Sequence, residues 1–121
     1  MLKISDFDGL GNLPKTPSRI VFGTNSMNYD ENQGIYGEPI EYEIQIERVT
    51  EVMAELLTIN YQGLQKDIAI DLPPIIRYLT IYDIHVNTWK VYLGLRWHDN
   101  RWYSPVNDDA LITLLYSAIT P

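Results

Sequence analysis

The chain has no cysteine, only two histidines and two phenylalanines, and no apolar run long enough to cross a bilayer. Lack of cysteine excludes disulfides, thiolate nucleophiles and cysteine-ligated zinc. It suits a reducing compartment, so the expected location is the cytoplasm or a virus particle assembled there. His85 and His98 stand at no metal-ligand spacing, and neither a metal nor another cofactor is expected. A span would need about 18 consecutive apolar residues, so no membrane association is expected. The opening MLKISDFDG carries two acids and no apolar core, and does not read as a signal peptide.

Motifs for chemistry are equally scarce. Asp6-Phe-Asp-Gly-Leu-Gly-Asn12 resembles a calcium loop only briefly. With Gly11 at the invariant glycine, Leu10 falls where a ligand oxygen is needed and Pro17 where the bidentate glutamate belongs. With Gly9 there, Ile4 and Lys15 take the first and last positions. Asp83 and His85 share a strand face and could orient an imidazole, but no G-x-S-x-G serine or other nucleophile accompanies them. Glu41, Glu43 and Glu47 are neighbours on one face, whereas glycosidase carboxylates flank a cleft from separate elements. Gly9-Leu-Gly11 and Gly34-Ile-Tyr-Gly37 lack the strand–loop–helix setting of a phosphate loop. No catalytic residue is assigned, and the chain reads as a non-enzyme.

What is present is a globular composition. The 121 residues make one domain, 45% hydrophobic and 21% charged. The net charge of −7 is unevenly placed. Residues 30–55 hold eight acids and one base, so the remainder is neutral. Such asymmetry can reflect a partner's charge or a solvated face.

Residues 1–39 contain five of the seven glycines and three of the seven prolines. They read as an extended, loop-rich arm with one short strand at 18–22. An arm so poor in periodicity is expected to dock on its own domain or on a neighbouring chain. Residues 40–121 form the α+β domain. Residues 40–47 alternate as a half-buried strand, with Ile40, Tyr42, Ile44 and Ile46 on one side. Residues 50–57 favour helix and 58–61 favour strand, and the segment to 65 stays open between the two. A short strand is expected at 67–72, a turn or short helix at 75–79 after Pro73-Pro74, and a strand at 78–86 closed by a turn at Asn87-Thr88.

WKVYLGLRW, residues 89–97, alternates without a break. Trp89, Val91, Leu93, Leu95 and Trp97 are expected in the core. Lys90, Tyr92, Arg96 and His98, with Arg101 on the return strand, form a basic and aromatic face. The chain turns at 98–100. Asn107 or Asp108 should cap a last helix whose Leu111, Leu114, Leu115 and Ala118 make one apolar stripe. The expected fold is therefore α+β: a small antiparallel sheet with a C-terminal helix packed on one face, joined by a middle helix if 50–57 is helical, and preceded by the extended N-terminal arm.

Two surfaces follow as candidate interaction sites: an acidic patch of Glu41, Glu43, Glu47, Glu51 and Glu55, and the basic-aromatic face. The reading these favour is a protein–protein interaction or assembly subunit, of the kind found in virus particles, with a protein partner that can be another copy of the chain. Opposite patches permit head-to-tail homo-oligomers. The alternative is an acidic inhibitor or immunity-type protein whose glutamates mimic nucleic acid and block a basic partner. Nucleic acid binding by Lys90, Tyr92 and Arg96 is disfavoured by the overall acidity.

Overall fold

The computed structural model describes residues 1–66 and 68–121 and has the expected α+β architecture, with its antiparallel strands divided between two sheets. The strands are β1 (Leu2–Lys3), β2 (Arg19–Thr24), β3 (Tyr29–Asp30), β4 (Ile35–Tyr36), β5 (Ile40–Glu43), β6 (Asn60–Gly63), β7 (Arg77–Tyr82), β8 (Thr88–Tyr92), β9 (Arg96–His98) and β10 (Arg101–Pro105). The helices are α1 (Val49–Thr58) and α2 (Asp109–Ser117). The first sheet runs β1-β6-β10-β9 and the second β5-β2-β7-β8; β3 and β4 form a separate ribbon.

One core joins both sheets and both helices. From the second sheet come Ile20, Phe22, Leu79, Ile81 and Val91. The helices add Val52, Met53 and Leu56 from α1 and Leu111, Leu114 and Leu115 from α2, spaced as one helical face each. The stripe expected on the last helix is thus buried. Its cap differs: Asp108 stands at the N-cap without a side-chain cap bond. Asn107 turns away, accepting from the Asn60 N–H at 2.7 Å and donating to the Thr58 carbonyl at 3.3 Å. That pins the α1–β6 junction instead.

The arm docks on its own domain. Ile4, Phe7 and Leu10 are buried at three-residue spacing, carried on successive turns in which Phe7 N–H donates to Ile4 O and Leu10 N–H to Phe7 O. Phe7 is the hub. Its ring meets Tyr61, His98 and Tyr103 edge-on at 5.1, 5.3 and 5.9 Å between centroids. The Arg96 guanidinium stacks on it at 4.9 Å. Strand β2 then lies between β5 and β7, so the boundary drawn at residue 39 falls inside the second sheet.

Several local expectations are corrected. The strand at 40–47 ends at Glu43; Ile44 makes one bridge to Ile119, and Ile46 enters a 3-10 turn and is exposed. Of the strand expected at 67–72, Asp67 lies outside the described residues and 68–72 form no strand. Residues 75–79 are not helical, because Arg77 already begins β7, whose β-branched and aromatic residues suit a central strand. That strand stops at Tyr82 rather than 86. Asp83 organises the turn that follows, accepting from the His85 and Asn87 N–H groups at 2.9 Å each. It therefore binds the His85 backbone rather than orienting the imidazole.

The long alternating run is broken in two. Gly94 has φ +92, a conformation that side-chain-bearing residues rarely adopt. Before it, β8 belongs to the second sheet with Val91 buried and Trp89 partly so. After it, β9 belongs to the first sheet with the opposite sense. Arg96 and His98 turn inward onto Phe7, while Trp97 faces out and is exposed. The expectation of a core Trp97 fails for this reason.

Removing the hub should be costly. Phe7→Ala is expected to lower unfolding free energy by about 3–5 kcal/mol in denaturant titration, the range for a buried aromatic. A loss below about 1 kcal/mol would mean that the arm is not integral to the core.

Candidate functional site

The structure brings two of the expected acids and two of the expected basic-aromatic residues onto one surface. Register places Glu41 and Glu43 on β5 beside Gly23 and Val21 on β2. Tyr78 and Thr80 follow on β7, and Tyr92 and Lys90 on β8. All point away from the core. Tyr78 was not singled out by the sequence, yet it ties this face together. Its ring lies flat over Gly23, where an added Cβ would stand 2.2 Å from the ring. Its hydroxyl donates to Glu41 Oε2 at 2.9 Å. Lys90 Nζ sits 4.3 Å from the Tyr78 ring centre and 5.3 Å from that of Tyr92. Arg19 donates to both carboxylate oxygens of Glu43.

The remaining expected residues lie elsewhere. Glu51 and Glu55 are on α1, whose apolar side packs against the other face of this sheet. Glu51 accepts from Arg48 at 2.8 Å, and Glu47 lies in the 3-10 turn before α1. The five glutamates therefore form no single row. Arg96 and His98 are inward, and Arg96 Nε is buried without a hydrogen-bond partner. Burial holds the Arg96 guanidinium below its ordinary pKa, with the nearby Tyr61 phenol opposing. Burial raises Tyr61 itself to about 12. Arg101 borders the outer Trp97–Trp102 pair, whose rings meet at 5.2 Å.

A cleft of about 320 Å³ opens beside this pair. One wall is the segment from Leu72 to Arg77 and the other is residues 92–95, with Trp102, Asp108 and Ile112 between them. A second hollow of about 270 Å³ shares Trp102 and is bordered by Ile68, Trp97 and Arg101. Around the two, Ile68, Leu72, Ile76 and Trp97 are 47%, 66%, 39% and 56% exposed.

The first wall has no helix or strand before Arg77, and Asn25 holds it. This buried amide donates from Nδ2 to Pro74 O at 3.0 Å and accepts on Oδ1 from the Ile76 N–H at 2.8 Å. The backbone of Asn25 also donates to Ile76 O. Next to it, Thr24, Ser26, Tyr116 and Arg77 form a polar chain. Thr24 Oγ1 bonds Ser26 Oγ, the Ser26 and Tyr116 hydroxyls bond each other, and Arg77 Nε donates to Tyr116 at 3.1 Å. Burial pushes the Tyr116 phenol up, but hydrogen bonds with Ser26, Arg77 and Thr24 outweigh it and leave the phenol below its ordinary value. Burial raises the Asp108 carboxyl and Asp109 adds to it, with Asp108's own backbone N–H and, more weakly, Arg77 opposing.

Sequence reading missed Asn25, Tyr78 and Tyr116. An asparagine at a strand end reads as turn chemistry. A tyrosine on a strand or helix reads as packing, and only the tertiary partners reveal otherwise.

Two substitutions test this geometry. Gly23→Ala should displace the Tyr78 ring and cost about 1–3 kcal/mol, read by denaturant titration; an unchanged midpoint would refute the ring-on-glycine contact. Asn25→Ala should cost about 1–3 kcal/mol and speed hydrogen exchange at the Ile76 amide selectively. Unaltered exchange there would show that another contact holds the wall.

Comparison with known proteins finds no matching family model, no matching curated protein and no matching solved structure, so the functional reading rests on this geometry alone.

Proposed function

We propose that the protein is a non-enzymatic protein–protein interaction subunit that self-associates through the apolar rim of the two hollows. The supporting observation is the cluster of Ile68, Leu72, Ile76 and Trp97 exposed around Trp102. Scattered exposed apolar residues are ordinary, but a contiguous group marks a contact surface. Burying such side chains against a partner is worth about 1.5–3 kcal/mol each before the costs of association.

Charge plays a smaller part in this reading than composition suggests. Glu43 is satisfied by Arg19, Glu51 by Arg48, and Glu41 by Tyr78. Exposed pairs of this kind contribute little, and salt screens what remains. A head-to-tail contact between an acidic and a basic patch has weak support, because both patches meet on one face.

Light scattering on a sizing column, at low and high salt, tests the reading. The expected mass is a multiple of 14.0 kDa that rises with concentration and persists at high salt. The double variant Leu72→Asp, Trp97→Ala should run as a folded monomer. A wild-type monomer at every concentration and both salts would sink the self-association reading. Dissociation by salt alone would move the contact to the charged sheet face.

A further inference from the structure

The cleft between the 72–77 wall and residues 92–95 holds two opposite charges that do not satisfy each other. Arg77 and Asp108 both line it. Among the described residues the ion pairs are Arg19–Glu43 and Arg48–Glu51, so these two are not paired. They are close enough for the charge of one to act on the other. Arg77 spends Nε on Tyr116, which fixes the guanidinium plane and leaves the terminal nitrogens as a two-pronged donor. Asp108 starts α2 without using its side chain to cap it. The surfaces between them are apolar or aromatic: Ile75, Leu93 and Leu95, with Trp102.

We propose that this cleft binds a small apolar molecule carrying both a carboxylate and an ammonium, of the class of the apolar α-amino acids. The carboxylate meets Arg77, the ammonium meets Asp108 with Trp102 beside it, and the side chain fills the aliphatic part. An ammonium against a carboxylate and an aromatic face gains from both in a partly desolvated site. A volume of about 320 Å³ suits a ligand of this size. Both walls are tied to the second sheet, one by Asn25 and the other by the Leu93 N–H donating to Arg77 O at 2.9 Å, which reduces the ordering that opposes capture. Capture of the ligand does not depend on whether the surrounding rim meets a partner.

Titration of the full chain with L-phenylalanine and L-leucine, followed by tryptophan fluorescence and by amide shifts of residues 93–95, tests this. Saturable binding with Kd of about 0.1–1 mM is expected. 3-Phenylpropionate, which lacks the ammonium, and phenethylamine, which lacks the carboxylate, should each bind about tenfold more weakly or worse. Asp108→Asn should weaken L-phenylalanine by a similar factor and leave 3-phenylpropionate unchanged. No saturable change up to about 10 mM would overturn the proposal. So would equal binding of all three aromatic probes, which would make the cleft an apolar slot without charge recognition. Light scattering of the same samples separates a failure here from a failure of self-association.

Discussion

The positive φ of Gly94 is the constraint from which most of the architecture follows. It ends β8 and sends the chain into a different sheet with its faces exchanged. Polar residues in the second half of the run then point at the interior. A buried guanidinium and an imidazole need a surface that tolerates them, and an aromatic face is one. Phe7 supplies it from the other end of the sequence, edge-on to three rings and with the Arg96 guanidinium over its ring. The strand break therefore brings Arg96 and His98 to the place where the arm docks. Had the alternation continued through Gly94, Trp97 would face inward and Arg96 outward. The same exchange sets Trp97 beside Trp102 on the outside, and so builds the rim.

A second constraint is polar. The end of β2 carries Thr24 and Asn25, both buried. Buried polar groups without partners would cost several kcal/mol, and a fully connected network avoids that. Asn25 satisfies its amide on the backbone of 74–76, while Thr24 begins the chain through Ser26 and Tyr116 to Arg77. The Asn25 bonds do for Pro74 and Ile76 what a helix or strand would otherwise do, and the chain beside them links β2, β7 and α2.

Much of the fold is legible in local patterns. Leu111, Leu114, Leu115 and Ala118 declare their helix by spacing, and residues 18–22 declare most of β2 by β-branched and aromatic content. The segment 50–65 divides as its propensities do, helix to Thr58 and strand from Asn60. The break at Gly94 is not legible, because glycine fits the alternation on the polar side and period-two patterning is blind to φ. The arm is half legible. Ile4, Phe7 and Leu10 recur every three residues, but single apolar residues among glycines and prolines give no sustained period. The site is least legible. Its members, from Asn25 to Ile112, are distant in sequence and converge only through the two sheets. The glutamates draw attention by density, although they share no single face and Glu43 and Glu51 are already ion-paired.

An apolar cleft in a small domain tends to close, since each methylene withdrawn from water favours collapse by about 0.8 kcal/mol. In this one hydrogen bonds tie both walls to the second sheet. Asn25 clamps one side to the sheet. The other side is tied at Leu93 to Arg77 and turned at Gly94, in a backbone conformation that glycine alone adopts without strain. The charges within it, Arg77 and Asp108, sit on the start of a strand and the start of a helix, where both backbones are already fixed. Rigid walls with opposed charges at fixed places discriminate by the ends of a ligand as well as by its bulk. Apolar surface on the rim has no such selectivity, so in the reading proposed here recognition falls to the interior of the cleft and adhesion to its edge.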